Sequence, residues 1–141
     1  VHHQFYSTEL KFYRRSGRMS GAAAAIGTVL GICPIMRLDD KGRIIAYDKV
    51  RGKKNAVART IETMRRHAEN GENYSGKAFI CHSNCLTDAE ATKAAVEAAV
   101  PHLNGSVRIC DIGTIVASHS GPGTVAVFFF GDDRAPEGQA V

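Results

Sequence analysis

Six residues near the end of the chain, His119-Ser120-Gly121-Pro122-Gly123-Thr124, concentrate the side chains and backbone that could do chemistry. An imidazole gives or takes a hydrogen bond near neutral pH. Glycines let a ligand approach the backbone closely and leave amide donors free for an anion. Apolar runs over residues 112–117 and 125–130 flank the six, and two glycines with a proline interrupt a strand. The spacing therefore predicts a sharp loop between two strands, with His119 at its mouth. A second group is Arg14, Arg15 and Arg18 around Gly17, guanidinium forks that match carboxylate or phosphate. Arg18 stands two residues before Ser20, the predicted cap of a small-residue helix, and a guanidinium beside a helix N-terminus makes an anion site. A third group, Lys49-Val50-Arg51-Gly52-Lys53-Lys54, sets four positive charges in six residues at the start of another helix. Cations there oppose the helix dipole, which favours a role toward an anion or an acidic partner surface. No aromatics interleave them, which argues against single-stranded nucleic acid.

Other arrangements are disfavoured by their spacing and geometry. Cys81-His82-Ser83-Asn84-Cys85 lacks the second paired knuckle of a structural zinc site, so no metal is expected and His82 should end a strand and bond to a nearby loop. Ser118-His119-Ser120 offers a nucleophile beside a base, but neighbours in a strand face opposite ways, and the pattern is not the Gly-x-Ser-x-Gly elbow of hydrolases. Gly121-Pro122-Gly123 precedes a strand and not a helix, so it is no dinucleotide fingerprint. One catalytic alternative stays open: an enzyme on a small carboxylated or phosphorylated substrate, with His119 as general base and Arg18 as clamp.

The elements that must position these residues follow from pattern. The 141 residues suffice for one domain with its own core, taken here as residues 1–141. A net charge of +4 is too mild to imply nucleic acid. The chain opens on Val1 without a basic-then-apolar segment, and the reading expects a piece of a longer protein. No apolar run reaches the roughly 20 residues that span a bilayer. Cys33, Cys81, Cys85 and Cys110 read as buried thiols of a reducing compartment, hence a cytoplasmic protein.

Residues 2–6 read as extended, 9–14 as a short helix capped by Ser7 or Thr8, and 21–30 as the small-residue helix. Strands follow at 35–38 and 43–51 around an Asp39-Asp40-Lys41-Gly42 turn. A long helix is predicted over 53–70, with Ala56, Val57, Thr60, Ile61 and Met64 as its stripe. A strand at 77–82 precedes a helix at 88–100, which Thr87 and Glu90 would open as a capping box. Strands at 107–112, 115–118 and 125–130 end the series, and the tail from Gly131 reads as frayed. The fold class is α/β: a layered domain with a mixed, largely antiparallel sheet of about six strands and three to four helices.

These pieces, in order, resemble the C-terminal half of the DegV family. The resemblance rests on Tyr13-Arg14-Arg15-Ser16-Gly17-Arg18-Met19-Ser20, Leu30-Gly31-Ile32-Cys33-Pro34-Ile35, the 49–54 run and His119-Ser120-Gly121-Pro122-Gly123. Ser16 and Ser120 stand where the family usually has Gly and Thr. The resemblance implies a bacterial, non-catalytic, lipid-binding domain that encloses the tail of a long-chain fatty acid, with no cofactor. It implies that an N-terminal domain, absent from this chain, completes the head-group site, and that a fatty acid kinase phosphorylates the presented carboxylate for phospholipid synthesis. His119, with Ser120, Gly121 and Arg18 around it, would meet the carboxylate; Arg18 would help position the phosphoryl group; Arg51 would contact the kinase. Neither nucleic acid nor membrane insertion is implied.

Overall fold

The structure, a computed structural model, describes residues 1–17 and 31–134. The predicted helix 21–30 and Arg18 lie outside the described residues. A six-stranded sheet carries everything else. Its strands are β1 (His2–Ser7), β2 (Ile32–Leu38), β3 (Ile44–Arg51), β4 (Phe79–Ser83), β5 (Arg108–Asp111) and β6 (Thr124–Phe129). They lie in the order β3-β2-β1-β6-β4-β5. Every neighbouring pair is antiparallel except β4 with β5. The mixed, largely antiparallel sheet read from the sequence is therefore correct.

The described helices are α1 (Lys11–Arg15), α2 (Lys53–His67), α3 (Leu86–Ala99) and α4 (Thr114–Ser120). Strand alternation sends side chains to two faces. Tyr6, Ile35, Ile80, Val125, Val127 and Phe129 point to one face, where they pack with Ala56 and Met64 of α2 and Ala89 and Val96 of α3. Phe5, Met36 and Ala126 point to the other, where they meet Leu10 and Tyr13 at α1. The near-continuous apolar run of β6 reflects this, since a strand covered on both faces has no polar side to show.

The β2–β3 turn forms as read. The Asp39 carboxylate accepts the Lys41 and Arg43 amides at 3.0 and 2.7 Å and the Arg43 Nε–H at 2.8 Å. α3 differs: it begins at Leu86, two residues early, on Cys85, and no side chain caps it. Asn84 at φ 49° turns the chain sharply out of β4, so the strand end and not the Thr87–Glu90 pair sets the start. Asp88 of its first turn instead takes Lys53 Nζ at 2.7 Å. That contact answers the misplaced cations at the start of α2, because a carboxylate now screens Lys53 from the dipole. The supposed frayed tail also differs at its root. Ala68 and Gly131 form a backbone bridge, and the Asp132 amide donates to His67 O at 3.0 Å.

The largest correction concerns residues 115–118, expected as strand, and His119 and Ser120, expected in the loop: all lie in helix α4, Thr114–Ser120. The sheet supplies the reason. β5 lies at an edge, β6 lies two positions inward, and β4 separates them. The chain must cross the end of β4 to reach β6, and residues 114–120 are spent on that crossing rather than on pairing along the free edge of β5. A short apolar run carries no periodicity to choose between helix and strand, so the crossover decides. Ile115 and Val116 remain 77% and 59% exposed.

Candidate functional site at the cavity end of the sheet

β1, β3, β4 and β5 all end at one edge of the sheet, where β6 begins. The ends of strands are where α/β folds gather sites. His119, Ser120, the Gly121–Gly123 turn, Cys85 and Arg51 are all at this edge. Arg51 is nonetheless about 14 Å from the turn, three strands away at roughly 4.8 Å each. Arg51 is exposed at the end of β3. So the structure brings His119 and Ser120 together and leaves Arg51 apart on the same rim.

The turn itself is tight for a packing reason. Gly121 adopts φ 72° and ψ 177°, and a Cβ there would strike the Phe12 ring of α1. Gly123 passes as closely over Thr8. The expectation of free amide donors fails. The Gly121 amide donates to Ala117 O at 2.7 Å, the Gly123 amide to Ser83 O at 2.9 Å, and Pro122 has none. The turn is a clamp joining α1, α4 and β4, not an anion nest.

Beside it, a cavity of about 330 Å³ opens on the sheet face away from α2 and α3. Its floor is Phe5, Ala126 and Phe128, its sides include Leu38 and Ile44, and Val116, His119 and Ser120 of α4 overhang it. From Thr124 to Phe128 it runs about 14 Å along β6, at roughly 3.4 Å per residue. Its lining is overwhelmingly carbon, and apart from His3 at the far end its polar groups gather at the α4 end. Gly121 does not line it.

The hydroxyls at that end form a directed chain. The Thr124 hydroxyl donates to Ser7 Oγ at 3.1 Å, and Ser7 Oγ donates to Glu9 O at 3.1 Å. The Tyr13 phenol, 3.1 Å from Thr124 Oγ1, donates into the same chain. Burial pushes the Tyr13 pKa up to about 12, so the phenol stays protonated. Ser120 Oγ lies close to that phenol without a well-formed hydrogen bond, and it is buried without a partner. Among the described residues the His119 ring makes no hydrogen bond or ion pair. Ser120 Oγ–H and the His119 imidazole are thus the unspent donors at the polar end of an apolar cavity. At the far end, His3 meets Phe128 edge-on at 5.2 Å, and its buried Nδ1 has no partner. Burial, helped by Arg134, lowers the His3 pKa and keeps that ring neutral.

No nucleophile–base pair results. His119 and its serine neighbours are on a helix, where adjacent side chains diverge by about 100°, and Ser118 Oγ donates to Ile115 O at 2.7 Å. Cys81 and His82 face opposite sides of β4; His82 Nδ1 accepts the Cys85 amide at 3.3 Å, as expected of a strand-end histidine. Cys85 Sγ donates to Thr124 O at 3.3 Å. Cys110 is exposed on edge strand β5, against the expectation of four buried thiols. Thr124 is among the residues the sequence points to as a site, as the last of the six-residue stretch; Tyr13, Phe5 and Phe128 are not. Their signal was the doubly apolar pattern of β6 together with the odd-numbered face of β1.

A family profile described as "Uncharacterised protein, DegV family" matches residues 1–132. The chain belongs to the DegV family. A DegV domain-containing protein of Clostridium perfringens is 34% identical over 134 residues, which are 95% of this chain and 45% of the relative. One from Listeria monocytogenes is 31% identical over 123 residues, 87% of this chain and 42% of the relative. The chain thus spans less than half the length of these DegV relatives. Among solved structures, a DegV protein of Thermus thermophilus, described by its fatty acid binding, superposes with a TM-score of 0.74 at 28% identity, over 89% of this chain and 44% of its own. A fatty-acid-binding DegV protein of Streptococcus agalactiae gives 0.73 at 27% identity, over 89% and 43%.

Proposed function

We propose that this chain is the lipid-enclosing, C-terminal part of a two-domain DegV protein and that its cavity takes the tail of a long-chain fatty acid. The carrying observation is the carbon-lined cavity with the unspent donors of Ser120 and His119 side by side at its α4 end. Each buried CH₂ contributes about 0.8 kcal/mol, so the tail supplies most of the affinity. A carboxylate then needs few contacts, chiefly for orientation. The described polar end offers Ser120 Oγ–H and the His119 ring to a carboxylate oxygen. Gly121 acts by keeping the turn closed against Phe12 and not by touching ligand. The fatty-acid-binding relatives from Thermus thermophilus and Streptococcus agalactiae support the ligand class. A further part of the whole protein would complete the head-group site, in keeping with the share of the relatives that this chain spans.

On this reading the protein is a non-catalytic carrier that presents the carboxylate to a partner fatty acid kinase, in the cytoplasm and in the service of phospholipid synthesis. Its support is the family resemblance carried by the Arg18 and His119 motifs. Arg18 would steady the phosphoryl group, and Arg51, exposed on the same rim, would meet the kinase. Among the described residues no helix is long and apolar enough to cross a membrane.

The test is fatty-acid titration of the whole protein and of His119→Ala. Loss of a hydrogen bond to a charged group costs about 1.5–3 kcal/mol, so affinity should fall roughly 10–100-fold. Unchanged affinity would remove His119 from the site. Arg18→Ala should leave binding intact and slow kinase-dependent phosphorylation; an unaltered rate would remove Arg18 from that step.

A further inference from the structure

On the α2 side of the sheet, three side chains from distant parts of the chain converge. His2 opens β1, His67 ends α2, and Asp132 follows β6. His2 Nε2 is 2.7 Å from Asp132 Oδ1, and His67 Nδ1 is 2.9 Å from Asp132 Oδ2. The three ligand atoms lie within 4.8 Å of one another. The geometry points to a divalent transition-metal site formed by His2, His67 and Asp132, open to water on the Asp132 side.

Four observations carry this. First, both imidazoles turn a nitrogen toward one carboxylate. An imidazole nitrogen and a carboxylate oxygen are ligand types that a transition-metal ion takes, and the three groups come from β1, the end of α2 and the segment after β6. Second, the spacing brackets that of coordination: ligands at about 2.1 Å from a tetrahedral ion lie roughly 3.4 Å apart, the two nitrogen–oxygen pairs are at 2.7 and 2.9 Å, and no pair of ligand atoms exceeds 4.8 Å. Third, the backbone holds the groups in place. β1 pairs with β6 at His2 and Phe129, and the Asp132 amide and the Glu69 amide tie the two segments at 3.0 and 3.1 Å. A Cβ at Gly131 would strike His67 O, so glycine is what lets Asp132 reach the histidines. The His2 ring is fixed by stacking on Phe129 at 5.1 Å and 5°. Fourth, access is right for a site with exchangeable water: the His2 side chain is 6% exposed and that of Asp132 56%. Two imidazoles and one carboxylate suit zinc, cobalt or nickel and not calcium or magnesium.

The test uses the whole protein, freed of metal by a chelator and titrated with Zn²⁺ alone, then with Co²⁺ followed by its visible spectrum. One equivalent should bind, with a cobalt spectrum free of thiolate charge transfer, and Zn²⁺ should raise the melting temperature. Asp132→Asn, near-isosteric at a half-exposed position, and His67→Ala should each weaken Zn²⁺ by at least the roughly 10–100-fold seen for loss of a supporting partner. Asp132→Asn should also abolish the thermal shift. No saturable binding, equal affinity in Asp132→Asn, or a thiolate band assigning the ion to cysteine would each overturn the site. None of these outcomes bears on the fatty-acid reading.

Discussion

Gly121 shows how one residue holds the end of α4 against α1 beside the cavity. Its φ of 72° is reached freely only without a Cβ, and the Phe12 ring occupies the place a Cβ would take. Gly121→Ala should cost about 1–3 kcal/mol for the backbone alone, plus the clash with Phe12. Urea unfolding should show a lowered midpoint, and Phe12→Ala should relieve part of the loss. Full relief would deny the backbone contribution, and no loss would deny both. The tight, glycine-dependent turn at Gly121-Pro122-Gly123 was legible in sequence. Its division of labour was not: glycine freedom reads alike whether it serves a ligand or a neighbouring ring, and only the contact with Phe12 tells them apart. The partnerless Ser120 Oγ was equally unreadable, because satisfaction of a hydroxyl depends on residues over 100 positions away.

Among elements, β6 and α4 decide the site. β6 supplies the floor, so Ala126→Leu should fill cavity space and displace about two CH₂ groups of a ligand, a loss of roughly tenfold in fatty-acid affinity. The melting temperature should change little; unchanged affinity would place the tail elsewhere. The strands of the hairpin, the long helix and the alanine-rich helix were legible from period and turn residues. α4 was not, because seven residues of Thr114–Ser120 carry no decisive period and the crossover past β4 is a property of the whole sheet. The joint between β3 and α2 gives a separate check. The Arg59 guanidinium, 2.7 Å from Asp48 Oδ2, holds the Asp48 carboxyl below its usual range. A folded pKa below the unfolded value means stability present above the unfolded pKa of about 4 and lost as pH falls through the folded one. Acid unfolding of Asp48→Asn should therefore be shallower over that window; an identical acid limb would show the pair to be idle.

At the scale of the molecule, one sheet separates two tasks. Its α2–α3 face carries the larger core, and its other face holds a cavity overhung by a short, exposed helix. The His2–His67–Asp132 cluster lies on the α2 side of the sheet, with His2 stacked on Phe129, while His3 and Phe128 line the cavity on the other side, so a change in the cluster should leave the cavity intact. The resemblance to DegV proteins was legible because four short motifs keep their order; the pairing of β6 with β1 was not, since it joins segments more than 100 residues apart. The central claim is that the cavity holds an acyl chain. Lipid extraction and mass spectrometry on the whole protein, purified under mild conditions, tests it most directly. Near-stoichiometric long-chain fatty acid is the predicted result. A protein that is empty and also refuses added fatty acid would contradict the account and leave the DegV likeness as one of fold.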